Sequence, residues 1–195
     1  MTKFHIFYYF QIYLNYEMSL MTIGAGCFWC VEAIFNQIAG VSSVTSGYSG
    51  GDLPNPNYEM ICTGKSGYAE VIQIEFDSNI VSYEELLKLF WISHDPTTIN
   101  QQGNDIGSQY RSVIFFHNQN QKNKADSLKK ALNESNLFKK EIVTEITEFK
   151  KFYKAEEYHQ DYFAKNPNVP YCSFVIKPKL EKFLINYKKK GRTDK

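Results

Sequence analysis

The sequence carries no excess of either charge: 22 Lys and Arg face 21 Asp and Glu in 195 residues, a net charge of +1. No global field therefore draws it to nucleic acid or to an anionic membrane. Cysteine is scarce, with Cys27, Cys30, Cys62 and Cys172 the only four. With no convincing export signal, this usage points to a reducing, cytoplasmic setting, where thiols are catalytic, metal-binding or inert rather than paired for structure. A membrane-length apolar run is also missing: residues 6–14 are apolar and aromatic but too short to cross a bilayer, and no small-residue cleavage site follows. Residues 1–17 read as an N-terminal extension outside the core, or as a weak targeting segment, with Met18 the natural start of the domain. No repeat or low-complexity block divides the rest, so residues 18–187 are expected to form one domain. Residues 188–195, opening on Lys188-Lys189-Lys190-Gly191-Arg192, read as a basic tail suited to a helix C-terminus.

What is present is a 43% hydrophobic content, enough for a core, and 16% aromatic residues, many of them tyrosine. Strand and helix patterns alternate. Residues 20–25 and 41–48 read as strands, and in residues 69–76 the alternation of Ile72, Ile74 and Phe76 has the period of a strand. Ser82-Tyr83-Glu84-Glu85 reads as a capping box that opens a helix through Trp91. Further strands are expected over 111–117 and 141–147, and helices over 119–133, 153–165 and from Pro178 onward. Residues 47–58 are too rich in Gly, Pro and Asn for regular structure. The pattern predicts an α/β (α+β) sandwich with helices covering a sheet.

Cys27 lies between a glycine turn and a helix start, in Gly24-Ala25-Gly26-Cys27-Phe28-Trp29-Cys30-Val31-Glu32. The spacing puts its sulfur on the first helical turn, beside free amides and the positive end of the dipole. Such a position favours thiolate over thiol, the form that attacks electrophiles.

Further stretches accompany it: Gly47-Tyr48-Ser49-Gly50-Gly51, Pro54-Asn55-Pro56-Asn57-Tyr58, Gly67-Tyr68-Ala69-Glu70, His94-Asp95-Pro96, residues 102–112 from Gln102 to Ser112, and Ala155-Glu156-Glu157-Tyr158-His159-Gln160. In this order they make the chain resemble the A-type peptide methionine sulfoxide reductases over nearly all of residues 18–187. The resemblance implies a two-layer sandwich on a ferredoxin-like core. It also implies reduction of the S epimer of methionine sulfoxide, free or within proteins; the chain is expected to act as a monomer, although the sequence itself does not reveal the oligomeric state. No metal or other cofactor is implied, and thioredoxin or another dithiol is the external reductant. By the same resemblance Cys27 is the nucleophile, Glu70 the acid, and Tyr58 and Tyr110 donors to the sulfoxide oxygen. Asp105 orders the site, and Phe28 and Trp29 grip the substrate methyl. A sulfoxide sulfur is a poor electrophile until its oxygen is protonated or strongly hydrogen-bonded, which is why a soft nucleophile needs acidic neighbours. The sulfenic acid left on Cys27 must then be attacked by a second thiol. Cys172, in Pro170-Tyr171-Cys172, matches a common family position for that thiol. Cys30 is the other candidate, because it creates a Cys-x-x-Cys spacing where the family often has glycine.

Other readings of the same residues are a thioredoxin-like dithiol at Cys27 and Cys30 and a structural zinc site, for which the cysteine spacing is poor. A Cys-His-Asp hydrolase through His94 and Asp95 is a further one, although adjacent residues orient one another badly and Asp95 before Pro96 suits a turn. Cys62 reads as a small buried hydrophobe.

Overall fold

A computed structural model describes residues 18–188; the N-terminal extension and all of the basic tail beyond Lys188 lie outside the described residues. Strand β1 (Met18–Ala25), helix α1 (Phe28–Phe35) and strand β2 (Val41–Ser49) open the chain. A short helix, α2 (Tyr58–Cys62), follows the Gly-Pro-Asn loop and is capped by Asn57, whose side-chain oxygen accepts from the Met60 amide at 2.9 Å. Strand β3 (Ala69–Asp77) then inserts between β1 and β2, antiparallel to both. Helix α3 (Tyr83–Ser93) begins at the expected capping box: Ser82 Oγ accepts from the Glu85 amide at 3.2 Å, and the Glu85 carboxylate accepts from the Ser82 amide at 3.2 Å. A two-residue hairpin, β4 (Gln101–Gln102) and β5 (Asp105–Ile106), leads to β6 (Ser112–Phe116), which pairs antiparallel with β1.

These elements form a βαββαβ unit with strand order β6-β1-β3-β2, in which each strand runs opposite to its neighbours. That is the ferredoxin-like arrangement, here with a split βαβ unit around β3. Helix α4 (Gln119–Glu134) and strand β7 (Glu145–Glu148) extend it on one side, with β7 parallel to β6. Strand β8 (Phe152–Lys154) pairs with β2 on the other. One face of the sheet carries Met21, Ile23, Ile72, Ile74, Phe76 and Ile114 into a continuous apolar core against the helices. The other face holds only a small cluster of Ala69, Val71, Val113 and Phe115 under Phe149 and Phe152. Two layers result.

Three segments differ from the sequence pattern. Residues 153–165 are not one helix. Tyr153 pairs with Tyr48, the Ala155 amide donates to Ser46 O at 3.0 Å, and the Gln160 side chain bonds both Ser46 N and Ser46 O, so the edge of β2 captures the chain. Only α5 (Tyr162–Lys165) is α-helical there, after Asp161 at a left-handed φ of 53°. The strand expected over 141–147 starts later, because the Ile142 amide donates to Asn133 and the Val143 amide to Pro96 O. The last helix, α6 (Lys177–Lys188), is preceded by a π-helical turn, Cys172–Ile176. Such turns concentrate at functional sites.

Candidate active site

The turn from β1 into α1 is built on glycine. Gly26 has a φ of +89°, and a Cβ there would come within 2.7 Å of the Gln102 side chain; a Cβ on Gly24 would meet Glu70 O at 2.8 Å. This tight passage makes Cys27 the N-cap of α1, with its carbonyl accepting from the Cys30 and Val31 amides at 3.1 and 3.4 Å. The amide of Phe28, one of the helix's free donors, donates to Glu70 Oε2 at 3.0 Å. Glu70 thus comes from the middle of the sheet to the mouth of the helix.

Glu70 has the same parity on β3 as Ile72, Ile74 and Phe76, which is why a carboxyl is carried to the core face at 1% exposure. Burial pushes its pKa up to about 8, the Phe28 amide pulls the other way, and the nearby charge of Asp105 adds to the rise. At neutral pH this carboxyl keeps its proton.

Cys27 behaves differently from its helix-start position. Burial outweighs the favourable dipole and pushes its thiol well up, helped by Cys30 and by the charge of Glu70 and opposed by the Tyr171 hydroxyl. Cys27 also shares a hydrogen bond with Cys30. That hydrogen bond lowers the Cys30 thiol against the cost of burial, and Lys179 lowers it further.

Tyr58 and Tyr110 face the same space. Burial raises both hydroxyls; Glu70 and Tyr110 are close enough to add to the rise at Tyr58, and Glu70, Cys27 and Asp105 do so at Tyr110. Both phenols are therefore firm donors. The Tyr58 amide donates to Glu156 Oε1 at 2.8 Å, while Glu156 Oε2 accepts from the Tyr48 hydroxyl at 2.8 Å, so one carboxylate pins the start of α2. Asp105, on β5, accepts from the Tyr171 hydroxyl at 3.0 Å, and that hydroxyl lies 3.9 Å from Cys30 Sγ.

Phe28 is fully buried, with its ring 5.1 Å from His159 and 6.0 Å from Tyr48. Trp29 is half-buried and stacks on Tyr162 at 3.7 Å, and its Nε1 donates to His159 Nδ1 at 3.2 Å. With Nδ1 accepting, the His159 ring proton sits on Nε2; burial lowers its pKa and keeps the ring neutral. The Tyr58 ring packs on His159 at 4.4 Å.

The structure therefore gathers Cys27, Cys30, Glu70, Tyr58, Tyr110, Asp105, Phe28 and Trp29 into one region. Sequence reading gave no role to Glu156, His159, Tyr162 or Tyr171, although Glu156 and His159 stand in a motif it singled out and Tyr171 directly precedes Cys172. Cys172 is buried at the head of the π-helical turn, and its thiol is pushed up by burial and by the charge of Cys30. Cys62 is exposed rather than buried, because it closes the short α2 at the surface, beside the Tyr58 hydroxyl.

His94 is committed elsewhere. Its Nδ1 bonds Phe90 O at 2.8 Å and its Nε2 bonds Ser112 Oγ at 2.7 Å, while Asp95 accepts from the Thr97 amide and hydroxyl in the expected turn. Neither residue faces a cysteine as a triad would require. Among the described residues no three His, Cys, Asp or Glu side chains are grouped so as to hold a metal ion. No helix among them is long and apolar enough to cross a membrane.

Comparison with known proteins gives one consistent result. Residues 19–192 match the family model described as "Peptide methionine sulfoxide reductase". A "Peptide methionine sulfoxide reductase MsrA" of Sulfolobus acidocaldarius is 53% identical over 174 residues, covering 89% of this chain and 98% of the relative. The reduced form of Mxr1 from Saccharomyces cerevisiae superposes with a TM-score of 0.74 at 34% identity, covering 80% of this chain and 89% of that one. Mxr1 solved in complex with Trx2 matches with a TM-score of 0.54 at 25% identity, covering 74% of this chain and 84% of that one.

Proposed function

Because the chain belongs to the peptide methionine sulfoxide reductase family, we propose that its site reduces the S epimer of methionine sulfoxide, free or in proteins, at the sulfur of Cys27. The observation that carries this reading is the meeting, at the start of α1, of the N-cap residue's thiol with a buried carboxyl whose pKa is pushed up to about 8 and which accepts from the next amide. A thiol attacking S=O needs a proton on the departing bond to oxygen, and Glu70 holds one where an exposed carboxylate would not.

The raised Cys27 thiol fits the proton inventory of the step. The enzyme enters as S–H and leaves as S–OH while the sulfoxide becomes a thioether, so no proton is gained or lost overall. Glu70 passes its proton to the sulfoxide oxygen and regains one from Cys27, whose sulfur then attacks as thiolate. Tyr58 and Tyr110 hold the oxygen by hydrogen bonds through the attack. Trp29, fixed by Tyr162 and His159, offers the aromatic face against which the methyl group and sulfur rest. Asp105 acts at one remove, by orienting the Tyr171 hydroxyl. Incubation with each pure epimer and dithiothreitol, followed by chromatography of methionine, tests the reading: only the S form should be consumed, and equal consumption of the R form would overturn the epimer assignment.

Recycling begins when a second thiol displaces the sulfenic hydroxyl as water and forms a disulfide. Two observations support Cys30 for this step. It lies one turn along α1 from Cys27, and its thiol is close enough to that of Cys27 for a hydrogen bond between them. Cys172, near enough to sense the Cys30 charge, stands behind it as the next thiol in line. A dithiol of the thioredoxin class then restores the thiols, a partner that the Trx2 complex of the yeast relative supports. The four unpaired cysteines of the chain suit a reducing, cytoplasmic setting. With thioredoxin as sole reductant, Cys30→Ser should release about one methionine per enzyme and then stall, whereas Cys172→Ser should retain multiple turnovers at a lower rate. The reverse pattern, read by product counting against enzyme concentration, would assign the first disulfide to Cys172.

A further inference from the structure

Beside the thiols, on the outer side of the π-helical turn, runs an open groove of about 570 Å³ whose walls include Asp105, Tyr171, Phe174, Pro178, Lys179 and Lys182. Three of its properties bear on what it could bind. Phe174 is 81% exposed in a protein that buries Phe28, Phe35, Phe76 and Phe90 almost completely, and Ile106, next to Asp105, is 72% exposed. The one carboxylate among these six residues, Asp105, already accepts from Tyr171, so Lys179 and Lys182 leave the groove with a positive margin. Finally, Tyr171 is a wall shared with the thiol site: one side of it lines the groove, and its hydroxyl lies 3.9 Å from Cys30 Sγ.

We propose that this groove is the docking surface for the protein that reduces the enzyme's disulfide: a dithiol protein of the thioredoxin class, presenting an apolar face around its reactive sulfur with carboxylates at the edge. The inference rests on the methionine sulfoxide reductase reading and adds to it where the partner sits. Exposed aromatic and aliphatic groups rimmed by charge are the usual composition of a transient protein interface. The apolar contact comes from Phe174 and the adjoining hairpin, and the lysines attract the partner's carboxylates. Displacement of the Tyr171 ring opens the way to the enzyme sulfur. There the partner thiolate attacks the Cys30 sulfur of the disulfide and forms a mixed disulfide while the other enzyme cysteine leaves as thiolate. The partner's second thiol then displaces Cys30, so two electrons and two protons pass to the enzyme and the partner ends as a disulfide. The other class of visitor to this face would be the oxidised protein substrate, which must reach Cys27 rather than the recycling sulfur.

Phe174→Ser and Lys182→Glu separate these roles, since neither side chain belongs to the reacting group. Turnover of free methionine S-sulfoxide is measured with dithiothreitol, and with thioredoxin kept reduced by thioredoxin reductase and NADPH. The expected result is unchanged dithiothreitol-driven turnover in both variants, with KM for thioredoxin raised about tenfold, equivalent to about 1.4 kcal/mol. The thioredoxin KM of the wild type, but not its dithiothreitol rate, should also rise with salt. An unchanged thioredoxin KM in both variants overturns the proposal. So does an equal loss with both reductants, which would assign the groove to substrate binding or to folding, and so does a wild type that thioredoxin cannot recycle. Failure of the wild type to turn over even with dithiothreitol would instead bring down the underlying reductase assignment.

Discussion

Cys27→Ser is expected to lower methionine formation to that of the enzyme-free control, in single-turnover as well as steady-state assays. Serine can cap α1 at least as well as cysteine, so the fold should persist, and an unchanged thermal melt would show it. What is lost is the chemistry. An alkoxide is far less accessible than a thiolate at neutral pH and is a hard nucleophile, poorly matched to a sulfoxide sulfur. Nor can it hold the oxygen as a reducible sulfenic acid, so even slow attack would lead to no cycle. The companion measurement is trapping of the sulfenic acid with a dimedone-type probe after one turnover in the Cys30→Ser background: a mass adduct should appear on Cys27 and be absent when Cys27 is serine. Undiminished methionine production by Cys27→Ser would remove this sulfur from the mechanism altogether.

The parts of this molecule readable from sequence are those in which neighbours in the chain are also neighbours in space. Ser82 and Glu85 close their capping box within one turn, and Ile72, Ile74 and Phe76 declare a strand by alternation alone. Residues 153–165 could not be read that way. Their composition suits a helix, but Tyr153 and Gln160 find partners at Tyr48 and Ser46, more than a hundred positions earlier, and that edge pairing prevails over local preference. The site divides in the same manner. Cys27 is legible because its glycine turn and helix lie beside it in sequence. The proton balance is not, because it depends on burial: a dipole argues for a thiolate, whereas burial among the residues that the fold packs around Cys27 pushes the thiol well up, against the Tyr171 hydroxyl. His159 and Tyr162 acquire their place only when the chain returns to stack on Trp29. The family motifs contain both Glu70 and Tyr110, and the structure supplies the physical reason for the place of Glu70: the alternation of β3 gives it no other face than the core.

The second large effect is expected at that carboxyl. Glu70→Gln keeps the shape of the side chain and an oxygen to accept from the Phe28 amide, but an amide does not release a proton to the sulfoxide. Removal of a positioned general acid typically costs about 10² to 10⁴ in rate, and the loss should fall on the single-turnover reductive step while reduction of the preformed disulfide by dithiothreitol stays near normal. Stability should move the other way. The folded pKa lies near 8 against an ordinary carboxyl value of 4.5, so between those limits the folded state holds a proton that the unfolded chain releases. The stabilisation linked to that proton is complete below the lower limit, declines as pH rises, and is exhausted above the upper one. At about 1.4 kcal/mol per pKa unit the wild type loses a few kcal/mol across the window, and the glutamine variant lacks this component of the slope. Melting curves at pH 5 and pH 8.5 should therefore show the variant gaining on the wild type at the higher pH while its rate of methionine formation collapses. A residue retained only for packing would show no such opposition. Coincident pH–stability profiles for the two proteins would mean that Glu70 is already ionised in the fold and cannot be the donor.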